Sequence, residues 1–284
     1  MAVFLRETSN LFEPANNNSF IQAMPFTTSH AVAVLPFKKL WPRWFSLSGL
    51  ISGAMAPDLQ YFLLVDTTYR GISHSWLGLF VVCLPMGLMF AFAFHWLFKR
   101  SFIDHLPHPL DQTMSGLAES KFMPCCVKSW LILIGSVLIG ALSHFLWDSF
   151  THAEGELARQ IPWLLEKNTI FGVTRHNTRW VQHVSSILGS LGLVLGVWYM
   201  RLLPKPITGF VSKTTGQKLL FWLGGVVSGV AVACLATWFY NDYYNWRLEL
   251  GHNRVMAFMS LGIGSWAGFF WYVCVYPLIR RSGR

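Results

Sequence analysis

His144, Asp148 and His152 stand at i, i+4 and i+8 in the stretch Gly140-Ala-Leu-Ser-His-Phe-Leu-Trp-Asp-Ser-Phe-Thr-His-Ala-Glu-Gly155. On a continuing helix all three share one face. Imidazole and carboxylate four residues apart form the spacing by which a helix offers two ligands to one metal ion. The blander alternative is that His144 and Asp148 only hydrogen-bond to each other at a helix end. Three further groups carry the same chemistry. His30 and Asp58 bracket an N-terminal segment, His74 lies in Arg70-Gly-Ile-Ser-His-Ser75, and His183 follows Gln182. Taken singly, each of these histidines is more often a hydrogen-bonded residue at a helix end. As an ordered set of imidazoles and carboxylates without thiolates they suit Zn²⁺ or another borderline divalent ion.

The elements that must position these residues are membrane helices. Only 12% of the 284 residues are charged and 53% are hydrophobic, whereas soluble domains carry about 25% charged residues. The fold class expected is an all-α, multi-pass transmembrane bundle. Five apolar runs are long enough to cross: Trp76–Phe98, Trp130–Phe150, Val181–Leu203, Leu219–Tyr240 and Val255–Ile279. Before them, a short helix over His30–Leu35, stopped by Pro36, and the stretch Trp44–Met55 read as a hairpin that returns Asp58 to the level of His30. The alternative is a sixth span, Trp44–Leu64, interrupted at Pro57-Asp58. Either way, ionisable groups at membrane depth are costly and belong in the bundle interior.

The net charge of +9 is topological information and does not indicate nucleic-acid binding. Lys99, Arg100, Lys121, Lys128, Arg201, Lys205, Lys213, Lys218, Arg280, Arg281 and Arg284 fall on one side if the runs alternate. That side is cytoplasmic by the positive-inside rule, which places the C-terminus inside and the His144/Asp148 end outside. Gly192/Gly196, Gly225/Gly229 and Gly264/Gly268 have the spacing of close helix packing. His105 and His108 belong to a solvated Pro-rich loop on the wrong side, and His95 to an interfacial helix end. The five cysteines show no metal or redox spacing. Three regions follow: a polar extension over 1–23, with Met24 as the expected start; a membrane region over 24–203 that carries the site; and two scaffold helices over 204–284.

Met24-Pro-Phe-Thr-Thr-Ser-His30, Met55-Ala-Pro-Asp58, Ser73-His-Ser-Trp-Leu-Gly78, the stretch from Gly140 to His152, and Gln182-His-Val-Ser-Ser186 together resemble a bacterial multi-pass membrane family of unknown function. More distantly, the order His30, Asp58, His74, His144, Asp148 is similar to that of membrane-bound metal-dependent hydrolases and zinc-dependent phospholipase C. Two departures stand out. Tyr69 occupies the place of a leading histidine in the third motif, and Ile187 stands where a glutamate would follow His183. The resemblance implies a metal site more firmly than a reaction.

The function expected is a metal-dependent hydrolase in the bacterial inner membrane, acting on a phosphoester or lipid-linked substrate at the non-cytoplasmic face. His30, Asp58, His74, His144, Asp148 and His183 are the candidate ligands. His152 or Glu154 is the candidate proton acceptor, and Arg70 the anion contact. The rival reading is a metal-stabilised scaffold or a transporter. Ligands near the bilayer centre would favour transport; ligands near the interface favour hydrolysis.

Overall fold

The structure, a computed structural model, describes residues 27–63, 70–200, 202–244 and 271. The extension over 1–23, Tyr69, the run Val255–Ile279 apart from Trp271, and the closing arginines lie outside the described residues. Among the described residues, three helices are long and apolar enough to cross a membrane: Trp76–Asp104 with 29 residues, Val127–Gln160 with 34 and Asn177–Tyr199 with 23. A span needs about 20. The fourth expected run falls within a further helix, Thr215–Tyr244.

A 3-10 helix, Thr27–Val34, leads into α1, Leu35–Leu40. Pro36 therefore does not stop the first helix, as the sequence suggested. It sits in the first turn of α1, where the missing N–H has no intrahelical acceptor to lose and the fixed φ suits helix. α2, Leu47–Leu63, runs straight through Pro57. α3, Trp76–Asp104, is one helical stretch whose turns widen to π geometry at Leu79–Cys83 and Phe94–Phe98. α4, Val127–Thr151, carries the His144/Asp148 pair, followed by α5, Asn177–Tyr199, and α6, Thr215–Tyr244.

Small residues bring these helices together at backbone distance. A Cβ built on Gly53 would meet the Val137 carbonyl, and one built on Gly140 would meet the Leu50 carbonyl, so α2 and α4 touch main chain to main chain. On α5, a Cβ at Gly189 would come 2.9 Å from the Ser29 carbonyl oxygen and one at Gly196 2.7 Å from Leu35 Cδ1. The glycine spacing on that helix thus seats the 3-10 helix and α1. Ala56, Leu79, Cys83 and Ala141 form a buried apolar cluster where α2, α3 and α4 meet, with Leu138 and Phe145 packed on it.

The expectation of an all-α chain needs one correction. Lys167–Ile170 (β1) and Val173–His176 (β2) pair antiparallel between α4 and α5. Phe171 and Gly172, with φ of 51° and 75°, make a two-residue turn with both central residues left-handed, which matches the twist of a hairpin.

The histidines assigned to a solvated loop also divide. His108 is exposed, 3.6 Å from the Asp111 carboxylate. His105 is buried, stacked on Phe221 at 4.2 Å with Nδ1 2.6 Å from the Ser101 carbonyl oxygen. The loop folds back onto α6 through the Trp222 indole N–H on the His105 carbonyl at 2.7 Å and Lys218 Nζ on Asp111 at 2.6 Å. His95, expected at an interface, stacks on Phe122 at 3.9 Å and reaches Ser48 Oγ at 2.7 Å.

Candidate metal centre

The 21 residue steps from Val127 to Asp148 on α4 correspond to about 30 Å of helix at 1.5 Å per residue. His144 and Asp148 are therefore far from the basic end of the bundle, in the last two turns of α4, and both are buried. Gly53 and Gly140 let α2 approach closely enough for the His144 Nδ1–H to donate to the Ala54 carbonyl at 2.8 Å. With Nδ1 donating, the neutral ring carries its lone pair on Nε2, the form a metal ion takes. Asp58, one turn further along α2 and fully buried, then has Oδ2 3.4 Å from His144 Nε2.

His74 enters from the segment before α3. Its Nδ1 is 2.9 Å from Ser73 Oγ, and its Nε2 lies 3.6 Å from both Asp58 Oδ1 and Asp148 Oδ2. On α4 itself, His144 Nε2 is 3.4 Å from Asp148 Oδ2. His30, on the 3-10 helix, stacks on the His144 ring at 4.2 Å and has Nε2 3.9 Å from Asp148 Oδ1. Two overlapping groups result, His30/His144/Asp148 and Asp58/His74/His144, each with its ligand atoms within 4.8 Å of one another.

These atoms are buried and unsatisfied. Neither oxygen of Asp58 or Asp148 has a hydrogen-bond partner, nor does Nε2 of His74 or His144. The separations of 3.4–3.6 Å exceed the roughly 2.7–3.2 Å of an N–H···O bond. They do match ligand-to-ligand distances around a cation. With metal–ligand bonds of about 2.0–2.1 Å, the edge of a tetrahedron is about 3.3 Å. Buried polar groups left unpaired are costly, and a divalent ion held by either group would satisfy a ligand atom from each of its three residues. The donor set fits the group that the residue types suggested.

The remaining candidates separate. His152 caps α4 at its C-terminal end, buried, with Nδ1 3.6 Å from Asp148 Oδ1. His183 is not brought to the group; it is half-buried, and its ring faces Trp180. The neighbouring Gln182 points inward instead, with Nε2 3.4 Å from His152 Nε2 and Oε1 accepting from Arg179. The signal for this was in the helix phase: Thr178, Gln182, Ser186 and Gly189 are the buried face of α5, and His183 lies about 100° off it. Glu154 is exposed in the turn after α4. Arg70 opens the short helix Arg70–Ser73, and its side chain lies outside the described residues.

The fold and the site together define a mostly helical protein with apolar helices able to cross a membrane, and with His/Asp groups that could hold a metal ion. The chain belongs to the family described as domain of unknown function DUF4184, whose model matches residues 24–278. No curated protein matches the chain, and no solved structure does.

Proposed function

We propose that this chain is a membrane-embedded, metal-dependent hydrolase, with zinc as the ion and a phosphoester or lipid-linked molecule as substrate. The observation that carries the reading is the set of buried, unpartnered imidazole nitrogens and carboxylate oxygens of Asp58, His74, His144 and Asp148 at 3.4–3.6 Å. His30 joins them through Asp148. A divalent ion held there supplies a Lewis acid and a water of lowered pKa. The chain's own groups do the rest. Ala54 and Ser73 fix the ring orientations of His144 and His74. His152, beside Asp148 and held at its other nitrogen near Gln182, is placed to accept a proton; the exposed Glu154 is not.

Depth favours hydrolysis over transport. Asp148 is eight residues past the midpoint of the apolar run Trp130–Phe150, about 12 Å along the helix, while a bilayer core extends about 15 Å from its centre. In this reading the chain crosses the bacterial inner membrane with five long helices and the N-terminal hairpin. Its C-terminus is cytoplasmic, and the site opens on the opposite face. Cys125 and Cys126, exposed before α4, are natural reporters of that orientation. In intact cells they should resist a membrane-impermeant maleimide. A cysteine placed at Gly172, in a protein with both replaced by serine, should react. The reverse labelling pattern would invert the topology.

The activity itself is tested by loading purified protein with Zn²⁺ and offering bis(p-nitrophenyl) phosphate and a panel of phospholipids. Wild type should turn over at least one of them, and Asp148→Asn none. Full metal occupancy without turnover of any substrate would reject hydrolysis while leaving the metal site intact.

A further inference from the structure

A cleft of about 650 Å³ opens beside the His/Asp centre, between the end of α4, the β-hairpin and the first turn of α5. Its wall at the α4 end is His152, the same imidazole whose Nδ1 lies 3.6 Å from Asp148 Oδ1. Its other walls carry Lys167 from β1, Arg175 from β2 and Arg179 from α5, together with the hydroxyl residues Thr174 and Thr178. No carboxylate lines it. Lys167 and Arg175 make no ion pair among the described residues. Arg179 is tied inward: its guanidinium donates to Gln182 Oε1, and Gln182 Nε2 lies 3.4 Å from His152 Nε2. Asp148, His152, Gln182 and Arg179 therefore form one polar line from the buried carboxylate to the cleft.

Like charges around one hollow repel one another, and no carboxylate lines the hollow to offset them. An anion between them removes that cost, and guanidinium and ammonium groups beside hydroxyls are the donors that recognise phosphate oxygens. The first turn of the 23-residue α5 borders the same hollow through Thr178 and Arg179, while its leading N–H, on Asn177, donates to the Glu166 carbonyl.

We propose that this cleft is the recognition site for the phosphate-bearing group of the substrate, holding it on Lys167, Arg175 and Arg179 so that the adjoining ester bond meets His152 and the metal centre. The proposal rests on the hydrolase reading for its second half only. Phosphate binding by the cleft stands or falls by itself. It also makes the hairpin, which neither composition nor helix periodicity marks, the element that selects substrate.

The test is equilibrium binding to full-length protein in detergent, with metal content measured on every sample. The probes are inorganic phosphate, glycerol 3-phosphate and soluble dioctanoyl-phosphatidylglycerol, with dioctanoyl-phosphatidylcholine as the zwitterionic control. Lys167→Gln/Arg175→Gln should weaken the anionic probes at least tenfold, leave metal content unchanged, and flatten the salt dependence. Lys167→Arg/Arg175→Lys, which keeps both charges if the neutral pair impairs folding, should bind within about threefold of wild type. Tighter binding of the phosphatidylglycerol than of inorganic phosphate assigns the site to a lipid headgroup. The opposite order assigns it to a free phosphate compound. Equal affinities in wild type and the neutral double variant overturn the proposal, whatever the metal analysis shows. Absence of turnover in metal-loaded wild type that binds the probes counts against the hydrolase reading instead.

Discussion

Replacing Asp148 or His144 by alanine is expected to strip the protein of bound metal, from ~1 equivalent to near none on purification. Asp148 is the hub of the group: Oδ2 faces His74 and His144 at 3.6 and 3.4 Å, and Oδ1 faces His30 and His152 at 3.9 and 3.6 Å. His144 is common to both candidate ligand groups. Loss of a supporting partner alone weakens metal sites by roughly 10–100-fold, and loss of a ligand should exceed that. Stability should follow occupancy. An ion present at about 100 times its Kd contributes about 2.7 kcal/mol to the folded state, so chelation should lower the melting temperature of wild type and leave the Asp148→Ala protein unmoved. The control is His105→Ala. That ring is buried against Phe221 at the basic end of the bundle, so its removal should cost about 2–4 kcal/mol and no metal. A folded, inserted His144→Ala protein that still carries stoichiometric metal would falsify the site.

The contrast between His105 and His144 shows what kind of information a sequence holds. The i, i+4 spacing of His144 and Asp148 is a property of one helix, so it can be read without knowing the neighbours. The return of Asp58 to His30 was legible for a similar reason, since two short apolar stretches joined by a basic turn have few ways to pack. His105 is buried by α6, more than a hundred positions downstream, and no local pattern announces a partner that remote. Pro36 misled because a proline ends a helix or begins one with equal ease, and only the backbone on its N-terminal side decides. His183 has the more metal-like side chain, but the period of Thr178, Gln182, Ser186 and Gly189 marks Gln182 as the inward residue. The hairpin had its own signal, a β-branched run on both sides of Phe171-Gly172, hidden by the expectation of a purely helical chain. For His105 and Gln182 the deciding question is which face of an element meets another, and that is decided by packing.

The same packing yields the second large effect, at a position that touches no ligand. Gly53→Val should abolish metal binding and destabilise the protein, although its side chain would lie on the far side of a turn from Asp58. A Cβ at this position would meet the Val137 carbonyl and come 2.7 Å from Val137 Cα, both main-chain atoms of α4. Main chain inside a helix cannot rotate aside as a side chain can, so α2 and α4 must separate. Separation breaks the His144–Ala54 hydrogen bond, now 2.8 Å, which frees the imidazole to turn. It also withdraws Asp58 from its 3.4 Å approach to His144. Overpacking of this kind costs about 1–3 kcal/mol or more, and the lost ion adds to it. Gly135→Ala is the matched comparison on α4. A Cβ there meets nothing within 4 Å, so the exchange should leave metal content unchanged and stabilise the helix by about 0.5–1 kcal/mol. Metal analysis and thermal unfolding of the two variants side by side decide the matter: if Gly53→Val retains its metal and its melting temperature, close contact between α2 and α4 is not what assembles the site.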